Sequence, residues 1–281
     1  MAIHDSLGNR MKEYESRNQY YLQKRTPVAI RVDMRAGHTF TKGFARPFDE
    51  VFGNAMVRTM EYCAKNIGNC VFAYRQSDEI TFILVDYAKL ETDAWFDYRT
   101  DKLCSISASM ATIAFNKYFS EMVMQLESDV AKEYETDGDT EWVIKMKKYL
   151  KAYRKSCEKG AMFDARCFNI PKEEVCNLIY WRQLDAIRNS IQMVGQSNFS
   201  HKELHGKSCN MIKDMLHEEK GINWDNFPTH QKRGSACRKV EQTVNIAGTI
   251  DTISTWEIDL EMPILKGEDR EYVDKLVYVG D

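Results

Sequence analysis

Two short segments carry the residues best equipped for chemistry. Asp33 is followed by Arg35 and His38, and further along the chain comes Ser77-Asp78-Glu79. Carboxylates brought together with no base beside them repel one another unless cations neutralise the charge. Magnesium favours such a place: one or two carboxylates, with substrate phosphates completing the octahedron. Ala36 and Gly37 are small enough for backbone N–H groups to approach a triphosphate. Arg35, Arg46 and Lys102 are the bases within reach in sequence. The same residues also suit a solvated hairpin turn and an unrelated strand-end acid, and composition alone leaves both readings open.

The elements that must position these groups follow from periodicity and turn chemistry. Residues 27–33 (P-V-A-I-R-V-D) read as a strand ending in the Asp33 carboxylate. Residues 47–65 read as a helix with Pro47 in its first turn. Strands at 70–75 and 80–85 flank the tight polar turn Gln76-Ser77-Asp78-Glu79, which makes a hairpin with acids at its tip. A long helix over about 102–124, rich in Ala and Ser, precedes a strand at 163–170. The order is βαββαβ, an α+β layout shared by ferredoxin-like and polymerase-palm domains. In that layout the end of the first strand and the hairpin tip are neighbours, so Asp33 and Asp78 are expected to converge. Carboxylates at adjacent strand ends hold two metal ions ~3.5–4 Å apart in such palms.

Between the long helix and the last strand lies an insert, about 126–160, of segregated charge. Residues 127–141 hold seven acids and one lysine, and 142–159 hold seven bases and one acid. The arms are expected to pair as an antiparallel helical hairpin turning at Asp137-Gly138-Asp139, more a solvated decoration than an RNA-contacting arm. Beyond Pro171, residues 172–196 read as one amphipathic helix with Ile179, Tyr180, Trp181, Leu184, Ile187 and Ile191 on its apolar positions. Trp181 is expected in the core. Residues 208–220 form another helix stopped by Gly221, and a strand-like pattern returns after Gln231. A palm-like catalytic domain (1–170) and a helical and β C-terminal region (171–281) are the expected division.

Other constellations fail on spacing. None of the eight cysteines forms C-x-x-C, which argues against a zinc knuckle and for free thiols in a reducing compartment. His201-Lys-Glu-Leu-His205 is neither H-E-x-x-H nor H-x-x-E-H. Gly206-Lys207-Ser208 lacks the upstream glycine of a Walker A loop, because His201 stands there.

Composition sets the outer bounds. The 281 residues are 43% apolar and 11% aromatic, enough to fill a core and to exclude general disorder. No apolar run approaches the ~20 residues of a membrane span, and the start lacks a leader pattern, so a cytoplasmic protein is expected. The net charge of -3 looks unsuited to a nucleic-acid partner, but its distribution says otherwise. Residues 161–239 carry +3 and residues 240–281 carry -7, so the acidic excess lies in the last segment alone.

Several long motifs together resemble one family. Arg31-Val-Asp-Met-Arg-Ala-Gly-His38 resembles the R-[IV]-D-G-R-x-F-H motif of tRNA-His guanylyltransferases, and Tyr74-Arg-Gln-Ser-Asp-Glu79 resembles their Y-x-Q-S-D-E. The likeness continues through 163–171, Trp181-Arg-Gln183, Asp185-Ala-Ile-Arg-Asn-Ser-Ile191, 199–207, Gly221-Ile-Asn-Trp224 and Gln231-Lys-Arg-Gly234. The resemblance implies a 3′–5′ nucleotidyltransferase acting on the 5′ end of tRNA after activation with ATP or GTP. It implies two Mg2+ ions held by Asp33, Asp78 and the carbonyl of Met34, with Glu79 supporting them. It further implies a triphosphate site of residues 33–38 (Asp33, Met34, Arg35, Ala36, Gly37, His38) with Ser77 and Asp78, with Arg99 and Lys102 facing the activating nucleotide and Arg46, also nucleotide-binding, standing where the family often has lysine. RNA contact is expected from Arg182, Arg188, Asn189, Lys202, Lys207, Lys232 and Arg233, though each also reads as a solvated surface base. A homotetramer is implied.

Two departures stand in the first motif. Met34 replaces the glycine after the first aspartate, and Gly37 replaces the phenylalanine before the histidine. A carbonyl at Met34 serves a metal only if that position does not demand positive φ. A third departure bears on substrate: eukaryotic members that add guanosine to tRNA-His carry H-I-N-N, whereas this chain has Ile187-Arg188-Asn189-Ser190. That pattern is similar to the guanylyltransferase-like members and implies template-dependent repair over dedicated tRNA-His maturation. A nucleotide cyclase lacks support without GGDEF, and an RNA-binding palm without catalysis is disfavoured by the two retained aspartates.

Overall fold

The computed structural model describes residues 6–246 and 249–280. Residues 1–5, from which the lack of a leader pattern is read, lie outside the described residues. Helix α1 (Ser6–Ser16) buries nothing. It is followed by β1 (Val28–Met34), the one-turn α2 (Gly37–Phe40) and α3 (Glu50–Asn66). The hairpin β2 (Cys70–Gln76) and β3 (Glu79–Leu84) leads to α4 (Thr100–Asp137), α5 (Glu141–Lys159) and β4 (Phe163–Asn169). The C-terminal part comprises α6 (Lys172–Asn198), α7 (His201–Leu204), α8 (Cys209–Lys220) and α9 (Thr229–Arg233). The strands β5 (Ser235–Ile246) and β6 (Thr249–Asp259) and then α10 (Glu271–Val277) complete it.

The strands form one six-stranded antiparallel sheet in the order β4-β1-β3-β2-β5-β6. Its first four strands have the β4-β1-β3-β2 order of a ferredoxin-like palm, as expected. The β5–β6 ribbon extends the sheet by pairing Phe72–Arg75 with Ser235–Arg238. Alternation along each strand splits the core in two. Ile30, Val32, Ala73, Ile80 and Phe82 pack under α3 and α4, while Ala29, Phe72, Tyr74 and Ile83 pack against α6 and α10.

Several expectations need correction. The helix expected to end near 124 runs unbroken to Asp137, where Gly138 at φ 71° caps it. Its acidic arm is rich in good helix formers, and Val130 keeps the buried face in register, so nothing stops it earlier. The charged insert is not a solvated decoration. Val130, Val143, Leu150 and Tyr153 are buried in the main core. Tyr153 meets Phe44 edge-on at 4.7 Å and donates its hydroxyl hydrogen to Asp49 Oδ2 at 2.6 Å. Ser156 Oγ donates to the Phe40 carbonyl at 2.7 Å. The hairpin therefore braces the loop that follows β1. Pro47 lies outside the helix it was expected to open, because Asp49 is the N-cap and accepts from the Phe52 N–H at 2.9 Å. Trp181 is 53% exposed, not in the core. It stands two residues from the buried Ile179 and from the buried Gln183, roughly 200° around the helix from each.

Candidate active site

The register of the sheet brings the expected carboxylates together. Asp33, at the end of β1, lies opposite Glu79 on β3 and Asp164 on β4. The backbone N–H of Met34 donates to the Asp78 carbonyl at 3.1 Å, tying the strand end to the hairpin tip. Ser77 makes the tight turn in the left-handed region at φ 48°. The consequence for charge is marked. Burial, and then the charges of Asp78, Glu79 and Asp164, push the Asp33 carboxyl up to about 6, against the pull of Arg166. Hard oxygen donors crowded so that one of them resists ionising fit a divalent cation. Among the described residues no three His, Cys, Asp or Glu side chains are grouped to hold a metal. Magnesium, which keeps waters and phosphates as most of its ligands, suits a place with so few protein carboxylates.

Both departures in the first motif lie beside the paired carboxylates. Met34 is the last residue of β1, absent from the positive-φ positions, and its side chain is 2% exposed in the main core. A Cβ at Gly37 would lie 1.9 Å from Asp78 Oδ2, so any side chain there would have to displace that carboxylate from its present position. Ala36 takes the left-handed conformation at φ 56° and starts α2. Gly37 and His38 occupy the first positions of that turn, whose amides have no intrahelical acceptor. The Arg35 N–H is already given to the Met162 carbonyl at 2.8 Å.

Glu79 points into a charge network behind the site. Arg182 donates from Nε to Glu79 Oε1 at 2.8 Å and from Nη2 to Glu79 Oε2 at 3.2 Å and Asp185 Oδ2 at 2.9 Å. Arg31 Nε stands 3.7 Å from Glu79, and Asn189 Nδ2 donates to Asp185 at 3.2 Å. Arg188 also pairs with Asp185. Arg31 and Arg182 lie over the Trp181 ring at 5.8 and 4.5 Å. Arg182, expected to meet RNA, is instead 9% exposed and occupied by Glu79 and Asp185. Asp185 was missed by sequence reasoning, although its spacing to Arg182, Arg188 and Asn189 on one helix was the available signal.

The remaining expected residues are more dispersed. Arg46 is exposed just before Pro47. Arg99 pairs with Asp101 at 2.9 Å and opens α4, and Lys102 is exposed in its first turn. The Thr100 carbonyl beside them touches Cys167, which pairs with Ile30, so they stand near the other end of β1, roughly 10 Å along the strand from Asp33. Lys202 and Lys207 are exposed. Lys232 donates to the Asp225 carbonyl at 2.5 Å and Arg233 to the Met262 carbonyl at 3.1 Å. Sequence reasoning also missed a cavity of about 400 Å³ beside the hairpin, where Arg75, Gln76 and Ser77 face Asn189 and His230.

A palm sheet with paired strand-end aspartates is the frame of a nucleotidyltransferase. The sequence model for tRNAHis guanylyltransferase (Thg1) matches residues 8–171, and this chain belongs to that family. It is similar to a bacterial tRNA(His) guanylyltransferase (Thg1)-like protein solved in complex with ATP. The two are 37% identical with a TM-score of 0.75, over 98% of this chain and 100% of that one. A bacterial Thg1-like protein in complex with GTP aligns with TM-score 0.73 and 36% identity over the same shares of both chains. The tRNA(His) guanylyltransferase of Saccharomyces cerevisiae is 27% identical over 250 residues, covering 80% of this chain and 89% of the yeast protein. The enzyme is a nucleotidyltransferase. No helix among the described residues is long and apolar enough to cross a membrane.

Proposed function

We propose that the enzyme adds nucleotides in the 3′–5′ direction to the 5′ end of tRNA, as template-dependent repair after ATP- or GTP-dependent activation of that end. The observation that carries this reading is the meeting of Asp33 and Asp78 at the hairpin tip, in a chain 37% identical to a Thg1-like protein in complex with ATP. Asp33, Asp78 and the Met34 carbonyl would hold two Mg2+ ions, which when bound stabilise the attacking and leaving oxygens of phosphoryl transfer. The chain's own groups supply orientation. The amides of Gly37 and His38, with Arg35, Ala36 and Ser77, line the path of the triphosphate. Arg46, Arg99 and Lys102 offset its charge. The 3′-hydroxyl of the incoming nucleotide then attacks the activated 5′ phosphorus, and the activating group leaves. Glu79 and Arg182 fix the floor of the site from behind. The C-terminal region, through Arg188, Asn189, Lys202, Lys207, Lys232 and Arg233, meets the RNA backbone.

The Ile187-Arg188-Asn189-Ser190 stretch, in place of H-I-N-N, favours repair over guanosine addition to tRNA-His. Offering each of the four nucleoside triphosphates to 5′-truncated, 5′-monophosphorylated tRNAs tests this. Incorporation should follow the opposing template base. Guanosine alone, whatever the template, would leave a dedicated tRNA-His guanylyltransferase as the better reading. The tetramer is tested by light scattering, with a mass four times the 32.7 kDa chain expected.

A further inference from the structure

Arg75 is the anomaly next to the site. It lies on β2 between Ile80 and Ser235, is 7% exposed, and its Nε has no hydrogen-bond partner. No carboxylate among the described residues pairs with its guanidinium, in contrast to Arg182, which has three bonds to two acids. Burial draws its pKa down only to about 10, so the cation persists at neutral pH. The carboxylate that answers it, Asp78, acts through space without an ion pair, which leaves a buried charge poorly compensated at the border of a cavity. Nη2 faces α3 at Gly53, whose missing side chain leaves the space open. Across the cavity His230 also has a buried, unpartnered Nδ1, and Asn54 and Asn189 add amide groups to the wall. The carboxylates that line the cavity do not answer the charge. Asp49 is taken up by the Ala45 and Phe52 amides and the Tyr153 hydroxyl, and Glu50 is exposed.

We propose that this cavity is a phosphate-recognition pocket, in which the Arg75 guanidinium, with His230 beside it, grips a phosphate of a nucleotide or of the RNA 5′ terminus. At about 400 Å³ it has the size of a nucleotide-scale site. Ser77 lines it and neighbours Asp78, so a phosphate here is held beside the paired aspartates. A planar fork of donors is the side chain best matched to a phosphate, because it binds two oxygens at once. The choice of ligand class rests on the proposed nucleotidyl transfer, but the binding does not require turnover.

The test is magnesium-free binding to the full chain and to Arg75→Gln and Arg75→Lys, measured by titration calorimetry and thermal melting. The probes are inorganic tripolyphosphate, ATP, and one RNA hairpin carrying either a 5′-monophosphate or a 5′-hydroxyl. Arg75→Gln should melt at or above the wild-type temperature, since a poorly compensated cation has been removed. It should lose on the order of tenfold or more in affinity for tripolyphosphate, the scale of a charge-assisted hydrogen bond. Arg75→Lys should lie between. Loss for ATP alone assigns the pocket to the free nucleotide, and loss of the preference for 5′-phosphorylated RNA assigns it to the RNA end. Unchanged affinity for every phosphate, or a variant that melts well below wild type, overturns the proposal. Because no magnesium or chemistry is involved, the result stands apart from whether the enzyme repairs tRNA.

Discussion

Replacing Arg182 with methionine isolates the charge network behind the site. The change keeps most of the volume and removes three hydrogen bonds, two to Glu79 and one to Asp185. The side chains of those carboxylates are only 10% and 18% exposed, so each is left with a charge that water reaches poorly. Breaking a buried pair from one side costs about 3–5 kcal/mol. Arg31 near Glu79 and Arg188 on Asp185 keep part of the compensation, which places the loss at the lower end, about 3 kcal/mol. In a chain of this length that corresponds to a fall of roughly 6–12 °C in Tm. Thermal unfolding followed by circular dichroism reads it directly, with urea unfolding as the check on free energy. Pairing Arg182→Met with Glu79→Gln should recover a large part of the loss, since one stranded charge goes with it. The salt dependence of RNA binding should stay as in wild type, because a buried guanidinium releases no counterions from phosphate. A fall below about 2 °C would refute the reasoning. A shallower salt slope with unchanged stability would return Arg182 to the RNA surface.

Two further substitutions probe the backbone around the site. Gly37→Ala puts a methyl where Asp78 Oδ2 now lies, 1.9 Å away, so nucleotide addition should fall by about 100-fold through displacement of that carboxylate. Tm should change little, since what must move is the far end of the half-buried Asp78 side chain; unchanged kcat would contradict this. Gly234→Ala combines φ +89° with a Cβ 2.5 Å from the Arg75 carbonyl and 2.6 Å from the Tyr74 hydroxyl. It should destabilise the chain by at least about 2 kcal/mol in urea unfolding, and a loss under about 0.5 kcal/mol would refute the close packing.

Much of this arrangement is legible in the sequence, for identifiable reasons. The βαββαβ order and the meeting of Asp33 with the hairpin tip follow from strand alternation and a two-residue turn, both local signals. The capped end of α8 at Gly221, φ 65°, is equally local. What local pattern does not carry is which side of a surface a residue faces once other elements arrive. The length of α4 depended on Val130 finding the core through α5, a tertiary fact. Trp181 and Arg182 are adjacent in sequence, yet the tryptophan is exposed and the arginine buried, because Glu79 waits beneath the latter. Arg75 reads as an ordinary member of a motif, and only the closure of α3, α6 and the 228–234 segment around it reveals a cation without a partner.

On the proposed function, Asp33 and Asp78 together make a magnesium-dependent centre for 5′ nucleotide addition. Single-turnover incorporation into a 5′-truncated, 5′-monophosphorylated tRNA tests it, measured against magnesium concentration for wild type, Asp33→Ala and Asp78→Ala. Saturable magnesium dependence is expected in the wild type and a loss on the order of a thousandfold or more in each variant, with both still folded. Wild-type rates in either variant, or addition that proceeds undiminished in chelator, would contradict it.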